Sequence, residues 1–202
     1  GLAAVGAAGC RTATGFDSTW RNPESKPIQL NGQTVVALVI STQETTRRQG
    51  EDAIATEITA RRAKGAASWT ILPIADMQNE EKTRAALTKA GAVAVVTMEI
   101  VGRGQNATRS PSFGMTMSQA SRGSFWGNYN WAWGNTWHSS PQPTSSLWVE
   151  TQIHSLASDE LLWAGRSRTV NPSEVNAVFG EVAAASALEI ERAGLLKPSA
   201  VK

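Results

Sequence analysis

The sequence predicts an α/β fold. It reads as a single domain with a mixed sheet of about five strands and three principal helices, in the order β-α-β-α-β, long insert, β-hairpin, C-terminal α. Three observations predict it. Thr34–Ile40 (TVVALVI) and Ala92–Val101 (AVAVVTMEIV) are apolar on both faces, as in strands covered on both sides. Helical periods separate them. A strictly alternating segment from Ser146 is followed by a turn and a second apolar run, as in a hairpin.

The elements follow in order. The strand at Thr34–Ile40 leads to a helix expected from about Arg47 to Lys64. There Ile54 and Ile58 stack at i, i+4, and Glu57 and Arg61 have ion-pair spacing. Gly65 stands where a C-cap glycine belongs. Ser68–Leu72 (SWTIL) reads as a second strand, stopped by Pro73. Glu80–Ala90 reads as a second helix with Leu87 on its buried face and Gly91 after its end. After the strand at Ala92–Val101, residues 103–143 show no helical period. In the hairpin, Leu147, Val149, Thr151 and Ile153 alternate with Trp148, Glu150, Gln152 and His154, which predicts one buried face. Ala157, Ser158 and Asp159 make the turn, and Leu161–Thr169 returns. The last helix is announced by Asn171 as cap, Pro172 at the first helical position and Glu174 three residues after the cap. Its apolar stripe is Val175, Val178, Phe179, Val182 and Ile190 with Ser186; Arg192 complements the dipole, and Gly194 and Pro198 end it.

The N-terminal segment points to location. Cys10, the only cysteine, follows nine uncharged residues, with Ala8 and Gly9 directly before it and Arg11 directly after. This resembles the end of a bacterial lipoprotein signal peptide, whose cysteine is lipidated and becomes the mature N-terminus. Residues 1–9 are then a signal-peptide remnant, 10–27 a lipidated tether, and 28–197 the α/β domain carrying the aromatic insert 103–143. A small buried cysteine and plain secretion are the alternatives. Residues 1–9 are too short to span a bilayer, which needs about 20 apolar residues. The membrane is thus met through the lipid. Arg11 is not the acidic residue associated with inner-membrane retention, so the outer membrane, facing the periplasm, is the expected address.

Three stretches carry a wider resemblance: TVVALVISTQETTRRQGEDAIATEI, GAVAVVTMEIVG, and LWVETQIHSLASDELLWAGRS leading to NPSE. Their order resembles a group of bacterial envelope lipoproteins whose domain is similar to the N-terminal domain of the translocation protein TolB, the lipoprotein activators of peptidoglycan synthases and the curli secretion channel subunit. The resemblance implies scaffolding, partner activation or ring assembly. It brings no catalytic residue.

The chemistry the residues allow is sparse. Net charge is +2, too balanced for a nucleic-acid face. His138 and His154 lie outside any metal-ligand spacing, so no metal is expected, and His154 is placed on the outer face of its strand. There is no G-x-S-x-G elbow and no phosphate-loop lysine motif, and no cofactor is expected. Gly102, Gly104 and Ala107 match G-x-G-x-x-A after a strand, but no helical pattern opens there. Glu99 reads as an edge-facing or paired carboxylate rather than a catalytic acid. Arg47 with Arg48, Arg61 with Arg62, and Arg166 with Arg168 read as solvated faces rather than phosphate contacts.

The insert is the expected contact element. Residues 103–143 hold no acid, three arginines and seven of the thirteen aromatics. Three readings stand: rings folded back on the domain, rings offered to a partner or subunit, and a glycan-stacking platform. The partner reading takes Phe125, Trp126, Tyr129, Trp131, Trp133 and Trp137, with Trp131 and Trp133 on one side of an extended segment. The insert is then dispensable for folding. The functional expectation is a non-enzymatic, lipid-anchored envelope protein that binds a protein partner or itself. A peptidoglycan-binding module is the alternative, and an envelope hydrolase the distant one.

Overall fold

The central strand β4 (Ala92–Arg103) is 12 residues long, pairs with a neighbour on each side, and sends its apolar side chains alternately into a core on either face of the sheet. The computed structural model describes residues 13–25, 28–104, 106–107, 124–134, 146–172 and 175–196. The other elements are β1 (Ala13–Arg21), β2 (Thr34–Ile40), α1 (Glu44–Ala60), β3 (Lys64–Ala67), α2 (Glu80–Lys89), β5 (Asn106–Ala107), α3 (Phe125–Gly134), β6 (Ser146–Ser155), β7 (Glu160–Val170) and α4 (Val175–Arg192). One mixed sheet runs β1-β7-β6-β4-β2-β3, with the two-residue β5 beside β4. β2 is parallel to β3 and β4, while β4, β6, β7 and β1 are successively antiparallel. The predicted α/β class and mixed sheet are therefore observed.

The topology explains the layering. β2 leads through α1 to β3 on one side, and β3 leads through α2 to β4 on the other. Right-handed crossovers in opposite directions place the two helices on opposite faces. Two main core clusters result, one on each face. One gathers Val35, Ala37 and Val39 of β2 with Ile54 and Ile58 of α1 and Val178, Phe179 and Val182 of α4. The other gathers Val36, Leu38 and Ile40 of β2 with Leu87 of α2 and Phe125, Trp126 and Tyr129 of α3.

Several expectations are corrected. The tether assigned to residues 10–27 is interrupted by β1, which pairs antiparallel with β7 from Ala13↔Val170 to Arg21↔Trp163. β1 has little apolar pattern of its own; Phe16 meets the Trp163 ring edge-on at 6.0 Å between centroids. The folded domain thus begins before residue 28. Residues 1–12, with Cys10, lie outside the described residues.

Ser68–Leu72 is not a strand. β3 ends at Ala67 because the Ser68 hydroxyl and the Trp69 N–H both donate to the buried Glu51 carboxylate, each at 2.7 Å, in a 3-10 turn at Ser68–Thr70. Gly65 is not a helix cap either. α1 stops at Ala60, and Arg62 takes the left-handed conformation (φ 68°). Gly65 instead lets β3 approach α1, since a Cβ there would lie 2.1 Å from the Ala55 carbonyl oxygen. Asn171, at φ 51°, turns the chain before α4, which starts at Val175; the anticipated Glu174 lies outside the described residues.

The arginine pairs are not simply solvated. Arg47 is buried beside Glu51, with Nη1–Oε1 at 3.6 Å. Arg61 is buried between Glu57 (2.5 Å) and Glu191 (3.1 Å), joining α1 to α4.

Candidate functional site

The unanticipated element is α3, a ten-residue helix inside the segment read as an extended loop. Its sequence, FWGNYNWAWG, is poor in helix formers. Ser124 caps it, its Oγ accepting the Gly127 N–H at 3.0 Å. Asp159, in the β6–β7 turn, accepts the Phe125 N–H at 2.8 Å and places a carboxylate at the helix start. Further along, the Tyr129 hydroxyl donates to the Met77 carbonyl and meets Thr83 Oγ1 at 3.1 Å. The Asn130 amide donates to Glu80 Oε2 at 2.7 Å. Burial pushes the Tyr129 phenol above its ordinary pKa. The Arg84 guanidinium, whose hydrogen bond holds the half-buried Glu80 below the usual carboxylate range, sits 4.1 Å over the Trp126 ring. Tertiary bonds thus hold a weak helix on the sheet.

This placement divides the six residues read as a partner surface. Phe125, Trp126 and Tyr129 are buried in the second core, with ring centroids 4.6–5.8 Å apart. Their rings are covered by the domain, and α3 contributes them to its core. Trp131 is 38% exposed, and Trp133 is half-buried, its ring in a T-shaped contact with Tyr129. Helical geometry takes both away from the extended arrangement expected of them. Trp137 and His138 lie outside the described residues. Ser124 followed by apolar residues at 125, 126, 129, 132 and 133 was the legible helix signal, masked by glycine and asparagine between them.

Between α3 and the face of β4 and β6 lies a narrow cleft of about 30 Å³, room for a water molecule or two. Its floor is polar. Glu99 of β4 and Glu150 of β6 are directly opposed, as are Thr97 and Gln152. Glu99 is therefore mid-sheet and paired with a like charge, not at an edge. Burial, then the charge of Glu150, pushes the Glu99 carboxyl up to about 8. No described residue is seen to hydrogen-bond it. Glu150 is well provided: Gln152 donates to it at 2.5 Å, and Arg166 of β7 stands 3.6 Å away.

His154, expected on an outer face, is fully buried at the end of this floor. α3 covers it, with the Phe125 ring 5.4 Å from the imidazole between centroids. Burial holds its pKa down to about 3, so the ring is neutral at physiological pH. Its Nε2 is 3.4 Å from Asn128 Nδ2, and its Nδ1 is buried with no hydrogen-bond partner. The polar column of β6 thus faces the underside of a helix, not solvent.

A second buried carboxylate, Glu51, is structural. It accepts from the Val39 N–H (3.2 Å), Ser68 and Trp69, and burial raises its pKa against those bonds and Arg47. Among the described residues no group of three or more His, Cys, Asp or Glu side chains could hold a metal, and no helix is long and apolar enough to cross a membrane.

The fold and site together define an α/β domain with helices on both faces of a mixed sheet and a polar cleft roofed by an aromatic helix. No protein-family model matches the chain, and no curated protein does. Among solved structures it is similar to the PelC dodecamer from Paraburkholderia phytofirmans, at 9% identity and a TM-score of 0.44, over 87% of this chain and 94% of that one. A substituted form of the same dodecamer gives 10% identity and a TM-score of 0.46, over 88% and 97%. A likeness of this strength transfers neither assembly nor function.

Proposed function

We propose that this chain is a non-enzymatic, lipid-anchored protein of the bacterial cell envelope, at the outer membrane facing the periplasm. It acts by binding a protein partner or further copies of itself, at the end of the sheet nearest the bilayer. One observation carries this reading: β1 begins at Ala13, three residues after Cys10, at the end of the sheet where the insert is rooted. Ala13 and Ser146 both pair with Val170, and Arg103 pairs with Leu147. The insert leaves β4 and returns through β6 at that end. Three residues reach at most about 11 Å. Three strand spacings of ~4.8 Å separate β1 from β4. A lipid on Cys10 therefore holds the acid-free, arginine- and tryptophan-bearing insert close to the bilayer and to whatever is anchored beside it.

The test is made in bacterial cells producing the chain from a complete lipoprotein precursor. Mass spectrometry of the N-terminal peptide is expected to find acylated Cys10, and Cys10→Ser to release the protein from membranes. In-cell cross-linking is expected to concentrate on residues 108–123 and 135–145. An unmodified Cys10 in membrane-purified protein refutes the anchor. Cross-links that avoid those residues refute the contact surface.

A further inference from the structure

α3 is held in place by a short set of tertiary bonds rather than by its own helix propensity. Asp159 fixes its start, Met77 and Thr83 hold its middle through Tyr129, and Glu80 holds its outer side through Asn130. Gly127, Asn128 and Asn130 weaken the helix itself. Elements with few local supports are the first to open when a fold fluctuates.

Beneath α3 lie two groups that are poorly placed to carry charge while it is closed. His154 is completely buried, and its Nδ1 has no hydrogen-bond partner. The side chains over it from α3, Phe125 and Asn128, are uncharged, as are its strand neighbours Val95 of β4 and Leu161 of β7. An imidazolium there would sit in a dry site without a counter-charge. Glu99 is opposed by Glu150 across the strand pair, and no hydrogen bond to it is seen among the described residues. Facing it otherwise are Tyr129 of α3, kept protonated by burial, the apolar Ile40 of β2, and Arg166 of β7 behind Glu150. Arg47 and Glu51 lie beyond Tyr129 and offset each other. The remaining charged groups that touch α3, Asp159, Glu80 and Arg84, hold its start and its outer side rather than the floor. The cleft has room for a water molecule or two, too little to hydrate an ion.

We infer that α3 is a proton-linked lid: closed, it keeps Glu99 protonated and His154 neutral, and its lifting lets Glu99 give up a proton to solvent and His154 take one up. The lid requires neither the lipid anchor nor the partner surface.

Each group sets one limb of the pH dependence. Closed, the Glu99 carboxyl is pushed up to about 8, by burial and then by Glu150; open, burial is relieved and it falls back toward 4.5. Its ionisation therefore favours opening as pH rises through this interval. Closed, the imidazole is held down to about 3 by burial; open, it returns toward 6.5. Its protonation therefore favours opening as pH falls through that interval. Where the intervals overlap, opening exchanges one proton for another, so the lid is tightest near about pH 5.5 and loosens on either side. Opening takes Phe125, Trp126 and Tyr129 out of the second core and leaves a charged floor.

Amide hydrogen exchange of the full chain, corrected for the intrinsic rate at each pH, reads the opening. Amides of α3 are expected to be at least about tenfold less protected than those of Val95–Met98 in β4, the mark of local opening. Between about pH 5.5 and 7.5 the two groups oppose each other in the wild type, whose opening changes by no more than about tenfold. Glu99→Gln cannot ionise, so His154 acts alone and opening falls about tenfold over that range. His154→Gln leaves Glu99 alone, and opening rises at least about tenfold. Should His154→Gln not fold, the falling limb of Glu99→Gln, set against the wild type, stands as the test. Protection of α3 amides equal to that of β4 at every pH overturns the inference, since α3 then opens only with the whole fold. The same pH dependence in the wild type and Glu99→Gln overturns it as well.

Discussion

Replacing Glu99 by Gln should make the protein more stable at neutral and alkaline pH and leave it nearly unchanged in mild acid. The folded-state pKa of Glu99 is raised from 4.5 to about 8, by burial first and by Glu150 second. The native state therefore binds a proton that the unfolded chain gives up. Stability from this group is fully present below about 4.5 and is lost as pH rises toward 8. Taken in full, the displacement corresponds to about 5 kcal/mol. Glu99 is partly open to water through the cleft, and screening reduces the expected loss to about 2–3 kcal/mol. Gln cannot ionise, so the variant should not suffer it. His154 acts oppositely: its pKa is held down to about 3, so its contribution is present above about 6.5 and declines as pH falls toward 3. It is common to both proteins and cancels in their difference. Urea unfolding of both at about pH 5, 7 and 9, with linear extrapolation, measures that difference. Parallel stability curves, or a variant less stable at every pH, would refute the account of a protonated, unpartnered carboxyl opposite Glu150.

Two further outcomes follow from packing. Phe125→Ala removes a ring 1% exposed that touches Trp126, Tyr129 and His154; it should cost about 3–5 kcal/mol, seen in chemical denaturation, with increased exchange of α3 amides. Full stability in that variant would mean α3 is dispensable after all. Gly65→Ala drives a methyl into the Ala55 carbonyl. The backbone cannot yield as a side chain does, so a loss of at least about 1–3 kcal/mol is expected, and an unchanged unfolding midpoint would show that β3 and α1 are not so closely packed.

The sequence by itself determined the elements whose signals are local. The apolar runs of β2 and β4, the helix α2 followed by Gly91, and the β6–β7 hairpin are where period and turn chemistry place them. These suffice for an α/β class, because a two-faced apolar strand needs cover on both sides whatever provides it. Tertiary structure decided the rest. β1 has little apolar pattern of its own and is held by its pairing along the edge of β7. Ser68 and Trp69 leave the strand conformation because the Glu51 carboxylate, 17 and 18 residues earlier, captures them. α3 is helical because Asp159, Met77, Thr83 and Glu80 hold it, each far away in sequence. The cleft was out of reach for the same reason. Glu99, Glu150 and His154 were each visible as single residues, but strand register made two of them a pair. The helix above them turned an apparently solvent-facing histidine into a buried neutral one, since burial is a property of what lies on top of a side chain and not of the side chain itself.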